Sequence, residues 1–147
     1  RRQISAMASG RANWGTLAST EEFAFDHHIL GAMGELAAAK AFNLFWPDNV
    51  GSIGGCDVGG VIETRCRRIG GSGLDLAMRA HDAKPDKPYL LIHGRMPEFK
   101  LIGWIYGREA SLGTLNKATG ITFVPATSPP LRSLDELRAL IRQTEAA

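Results

Sequence analysis

Apolar and polar positions along this chain sort into stretches with different periods. Residues 21–45 carry helical spacing. Ser19-Thr20-Glu21-Glu22 opens that stretch with a hydroxyl to cap it and acids for its first turn. Pro47, with Asp48 and Asn49 behind it, closes it. Residues 51–69 mix glycines with β-branched residues and read as a hairpin. Tyr89-Leu90-Leu91-Ile92-His93 and Leu101-Ile102-Gly103-Trp104-Ile105-Tyr106 are short apolar runs, the pattern of buried strands. Shorter strands are expected at 74–78 and 121–125, with a helical turn at 107–112 between the later ones. Ser133-Leu134-Asp135-Glu136 starts a last helix with an apolar face of Leu134, Leu137, Ala139, Leu140 and Ile141. Helix, several strands, helix predicts an α/β (α+β) domain, a central mixed β-sheet flanked by helices. Residues 1–20 are small and polar and read as an N-terminal arm, leaving 21–147 as a single domain.

Composition adds bounds. A chain of 147 residues with 44% apolar and 22% charged residues can bury a real core as one domain. No apolar run approaches the roughly 20 residues that span a bilayer. No signal-peptide pattern is present either. An intracellular, cytoplasmic protein without a membrane partner is therefore expected. Cys56 and Cys66 have no CxxC or zinc spacing and read as reduced thiols acting as small core residues. A net charge of +2 does not mark a nucleic-acid binder. Its distribution says more, because 12 of the 17 basic residues are Arg and Arg65, Arg67 and Arg68 cluster. The planar fork of Arg suits phosphate. Arg79, Arg95 and Arg108 are further candidates for a phosphate groove, or else solvated surface.

Those arginines adjoin Gly54-Gly55-Cys56-Asp57-Val58-Gly59-Gly60-Val61-Ile62-Glu63-Thr64-Arg65, which places an Asp, a Glu and a cation around one tight turn. Side chains alternate along a strand, so Glu63 and Arg65 share a face and Thr64 points the other way. A two-residue Gly59-Gly60 loop would put Asp57 on the opposite face from Glu63. A three-residue or bulged turn brings the two carboxylates together. A shared metal requires the second geometry. Glu35 lies among Gly31, Ala32, Ala38 and Ala39 on the first helix. A carboxylate on such a small-residue stripe calls for a partner, a metal or an Arg. Each residue also has a plainer reading: Asp57 as a turn former, Glu63 and Arg65 as a surface ion pair, Glu35 as a boundary residue.

A helical Glu, an Asp before a tight turn, then Glu-x-Arg on the next strand resembles the PD-(D/E)XK nuclease superfamily. The matching positions are Glu35, Asp57 and Glu63-Thr64-Arg65, and the resemblance spans roughly residues 25–69. It implies a restriction-endonuclease-like core and a metal-dependent endonuclease, a hydrolase that binds DNA and cuts its phosphodiester bonds. The implied cofactor is Mg²⁺ (or Mn²⁺). Its ligands would be Asp57, Glu63 and the backbone carbonyl of Thr64, with Glu35 acting through water or on a second ion. Arg65 would stabilise the scissile phosphate, and Arg67, Arg68 and Arg79 would bind neighbouring phosphates. Cutting both strands calls for a homodimer. The chain departs from the motif in having Arg65 where the family has Lys. An Arg stabilises an anion but stays protonated and cannot assist water deprotonation. The rival expectations are a catalytically inactive nuclease-fold module for nucleic-acid binding or assembly, and a purely structural domain.

Other candidates carry plainer readings. His27-His28 reads as capping or packing, His81-Asp82 as surface, and His93 as a satisfied core or edge histidine. Trp104 and Tyr106 share a strand face, which suits core packing or base stacking. Gly70-Gly71-Ser72-Gly73 lacks the Gly-Lys-Ser/Thr ending of a P-loop.

Overall fold

The structure is a computed structural model that describes residues 21–46, 57–71, 73–79 and 83–147. The expected 1–20 arm, the capping pair Ser19-Thr20, Pro47, Cys56 with the residues just before it, and His81-Asp82 lie outside the described residues.

Helix α1 spans Glu21–Phe42. It ends earlier than Pro47 would require, because Asn43 turns left-handed (φ 53°) and the Leu44 N–H returns to the Ala39 carbonyl at 2.8 Å. Strands follow at Glu63–Arg68 (β1), Leu76–Met78 (β2), Pro88–Arg95 (β3) and Glu98–Tyr106 (β4). A 3₁₀ helix occupies Gly107–Leu112. Then come β5 (Thr114–Asn116), β6 (Ile121–Val124) and helix α2 (Leu134–Ala146). Ser133 and Glu136 cap α2 reciprocally, as the sequence suggests. No sequence signal marks β5, whose three residues are all exposed.

The fold is α+β, but its strands form two three-stranded sheets rather than one. The mixed sheet has the order β1-β3-β4, with β1 parallel to β3 and β3 antiparallel to β4. The second sheet, β2-β6-β5, is antiparallel. The physical reason lies in β3. Its apolar run buries both faces, so each face needs its own cover. Leu90 and Ile92 pack with Ala38 and Ala39 of α1 and with Leu137 and Ile141 of α2. Tyr89 and Leu91 pack with Leu76, Met78 and Val124 of the second sheet. The hairpin expected at 51–69 is correspondingly small among the described residues. Val58 and Ile62 form a single bridge, and β1 finds its long partner in β3.

Small residues let α1 lie close on the sheet. A Cβ on Gly34 would stand 3.1 Å from Cβ and Sγ of Cys66. Opposite the break in pairing between Leu91 and Ile92, β4 carries Ile102 as an extra residue, which explains why its apolar run does not alternate. Among the described residues, no helix is long and apolar enough to cross a membrane.

A paired charge ties the 3₁₀ helix to the strap leading into α2. Arg132 donates to both oxygens of Glu109 (2.5 and 2.6 Å), and the Tyr106 N–H donates to the same carboxylate. The hydrogen bond from Arg132 holds the Glu109 carboxyl below its ordinary value of 4.5. A carboxyl depressed on folding contributes stability that is complete above its unfolded pKa and is lost as the pH falls through the folded one. Urea midpoints of wild type and Glu109→Gln should therefore differ at neutral pH and converge in acid. A gap that persists undiminished in acid would rule out the ion pair as its source.

Candidate functional site

The site begins at the turn before β1. Gly59, Gly60 and Val61 separate the bridged pair Val58 and Ile62, so the turn has three residues, the geometry that a shared carboxylate site needs. Gly59 and Gly60 both adopt positive φ (60° and 68°), which glycine reaches without steric penalty. Val58 and Ile62 are fully buried and anchor the turn in the α1 side of the core. The Gly59 N–H donates to the Phe45 carbonyl at 2.8 Å, so the exit of α1 braces the turn from outside.

β1 is an edge strand of the mixed sheet. Asp57 takes the place of a missing neighbour there. Its Oδ2 accepts from the Thr64 N–H at 2.8 Å and from the Thr64 hydroxyl at 3.1 Å. Arg65 then draws the cluster together. Its Nη1 donates to the Thr64 carbonyl at 2.7 Å and lies 3.8 Å from Asp57 Oδ2 and 3.9 Å from Glu63 Oε2. The guanidinium also stacks over the Tyr89 ring, 5.0 Å from its centroid. Thus the three oxygens expected to hold a metal all face one guanidinium nitrogen.

Glu63 is buried and has a second cation that the sequence reading missed. Lys84 Nζ bonds to Glu63 Oε1. Lys84 comes from the loop before β3, where its own N–H donates to the Tyr89 hydroxyl at 2.9 Å. Burial, ahead of the surrounding charges, raises the Tyr89 phenol above its ordinary value, so the ring meets Lys84 as a neutral phenol. No local pattern announces Lys84. It reaches Glu63 because β1 and β3 run in parallel register, with Glu63 opposite Tyr89.

The remaining predicted residues divide by strand alternation. Glu63, Arg65 and Arg67 point toward the second sheet, whereas Thr64, Cys66 and Arg68 point toward α1. Arg67 donates to the Gly73 carbonyl at 3.0 Å and stacks over Phe123, and burial lowers its pKa. Arg68 lies 3.7 Å from Asp26 of α1. Arg79 follows β2 and is half-buried. Glu35 is buried, and its Oε2 accepts from Trp46 Nε1 at 2.9 Å. Trp46 follows Phe45, so Glu35 is tied to the chain that braces the turn.

The other expectations can be placed as well. Cys66 is a free thiol packed under Gly34, and burial pushes its pKa up to about 11, consistent with a core thiol. Burial and the charge of Arg68 lower the His27 imidazole. His93 is satisfied by the Leu74 carbonyl at 2.8 Å. Trp104 is a core residue whose Nε1 donates to the Ser133 carbonyl.

Two carboxylates and a carbonyl around a cation form a hard-oxygen set of the kind that suits a small divalent ion. Among the described residues, no group of three or more acidic, histidine or cysteine side chains forms a metal-holding cluster. No family model, curated protein or solved structure matches the chain.

If these oxygens form a cation site, Arg65→Gln vacates it. The variant should melt below wild type in EDTA. It should then gain more from millimolar Mn²⁺ than wild type does, because binding to the folded state alone stabilises it. Equal Mn²⁺ responses in a thermal-shift titration would count against a cation site.

Proposed function

We propose that this protein is a metal-dependent nuclease with a restriction-endonuclease-like core that hydrolyses DNA phosphodiester bonds. The observation that carries the reading is the convergence of Asp57 Oδ2, Glu63 Oε2 and the Thr64 carbonyl on one cationic nitrogen. The same donor set fits Mg²⁺ or Mn²⁺ by its chemistry, since both favour oxygen ligands and carboxylates in particular. Such an ion, when bound, polarises the phosphodiester and makes its water a better nucleophile.

The chain's own residues supply the rest. Asp57 and Glu63 would hold the ion, and the edge position of β1 keeps the Thr64 carbonyl available beside them. Glu35 would add its charge from α1. Arg65, released from the three oxygens, would turn to the phosphate and stabilise negative charge on it. A guanidinium donates hydrogen bonds and has no acceptor, so the attacking water would give its proton to another group, such as a substrate phosphate oxygen. Lys84 neutralises the other oxygen of Glu63, Oε1. Cutting both strands calls for two copies of the chain.

A second reading has an observation of its own. Arg65 already bonds the Thr64 carbonyl and stands within ion-pair range of both carboxylates, which suits a module that binds nucleic acid without turnover. Supercoiled plasmid incubated with Mg²⁺ or Mn²⁺ separates the two. Nicking or linearisation by wild type, reduced about 100-fold or more in Asp57→Asn and Glu63→Gln of unchanged fold, supports the nuclease. Salt-sensitive binding with no turnover selects the second reading. Neither binding nor turnover overturns both.

A further inference from the structure

Beyond Arg65, the cations that follow the carboxylates in sequence, Arg67 and Arg68, are not the ones that surround them in space. β1 begins with Glu63 opposite Tyr89 and ends with Arg68 opposite Gly94. At ~3.3 Å per residue, Arg68 lies about 16 Å along the strand from Glu63. Arg67 is committed to Gly73 and Phe123, and Arg68 approaches Asp26. Different residues surround the Glu63 end. There β3 starts and β4 finishes, with Pro88 opposite Tyr106. The loop before β3 and the turn after β4 are consequently pressed together.

That junction is tied by backbone hydrogen bonds. The Gly107 N–H donates to the Lys87 carbonyl and the Arg108 N–H to the Pro85 carbonyl, both at 3.0 Å. A Cβ on Gly107 would stand 2.1 Å from the Lys84 carbonyl oxygen, so only glycine permits this approach. The junction carries three cations from two parts of the sequence, the loop before β3 and the turn after β4. Lys84 reaches Glu63, Lys87 Nζ lies 3.5 Å from the Gly60 carbonyl in the turn, and Arg108 stacks on the Tyr106 ring at 4.1 Å. Arg108 is half-exposed and also pairs at 2.7 Å with Asp86, an acid 85% exposed at its side chain. Cations held on this platform beside a carboxylate turn match the demands of a phosphate backbone that must pass the site.

We infer that the DNA backbone crosses this ridge, with Lys87 and Arg108 contacting phosphates next to the 57–63 carboxylates while Lys84 stays on Glu63 and Arg67 and Arg68, toward the far end of β1, stay outside the contact. The inference rests on the nucleic-acid reading above and names the surface that serves it. Asp86 acts as a brake on the same surface, because it pairs with Arg108 and a phosphate must displace it.

The test is fluorescence anisotropy of a labelled DNA duplex with the full chain in EDTA, where turnover is absent. Lys87→Ala combined with Arg108→Ala should weaken binding about tenfold and lower the slope of log affinity against log salt by about two, as ~0.9 per lost phosphate contact implies. Arg68→Ala combined with Arg95→Ala, at the far end of the sheet, should change affinity less than about twofold. Asp86→Asn should tighten binding about two- to threefold, a gain that no folding defect produces. Wild-type binding that survives the ridge double variant, or that fails in the Arg68 and Arg95 variant instead, overturns the ridge and leaves the nucleic-acid reading standing. An unchanged affinity in Asp86→Asn overturns the brake. A wild type that binds no DNA even at low salt overturns the ridge and that reading together.

Discussion

Glu63 lies opposite Tyr89 because β1 and β3 run parallel, and most of what surrounds the candidate site follows from that register. It brings the loop before β3 alongside the start of β1, so Lys84 can reach the Glu63 carboxylate. It sets Arg65 over the Tyr89 ring. It also leaves β1 at the sheet edge, where the Thr64 N–H finds Asp57 rather than another strand. A single backbone pairing thus assembles a buried carboxylate, a half-exposed carboxylate and two cations.

Electrostatics then decides which of these contacts are structural necessities. Glu63 is buried, and a buried charge is costly to leave without a partner. Lys84 and Arg65 therefore neutralise Glu63 whatever chemistry they perform. Arg65 carries the added duty of satisfying the Thr64 carbonyl and standing near Asp57. In the proposed nuclease the same guanidinium would serve twice, as an internal counter-ion while the oxygens have no other cation and as a phosphate partner once they do.

Packing supplies the rigidity that these charges need. β3 lies between two cores, one shared with the helices and one with the second sheet. Gly34 allows α1 to approach β1 closely, and Gly107 allows the turn after β4 to press on Lys84. The carboxylate turn is braced by Phe45 from the exit of α1 and by the buried pair Val58 and Ile62. The site is consequently held from three directions, although most of its residues sit on an edge strand and its loops.

Much of this was legible along the chain, for local reasons. Helical periods, capping residues and short apolar runs mark α1, α2, β3 and β4, because those signals act within a few residues. The Gly-Gly turn and the alternation of Glu63 and Arg65 are local too. So is the small-residue surface around Glu35, which does pack closely. What the sequence did not show is whatever depends on which strands pair. The division into two sheets follows from the two-faced burial of β3. The commitment of Arg67 to Gly73, the pairing of Glu35 with Trp46 and the arrival of Lys84 at Glu63 all link residues separated along the chain. The Asp57-to-Arg65 motif around the Gly-Gly turn determined which atoms are candidates for the chemistry. Tertiary structure alone decided that Lys84 meets Glu63 and Arg68 meets Asp26, because charges far apart in sequence are brought together by sheet register and helix packing.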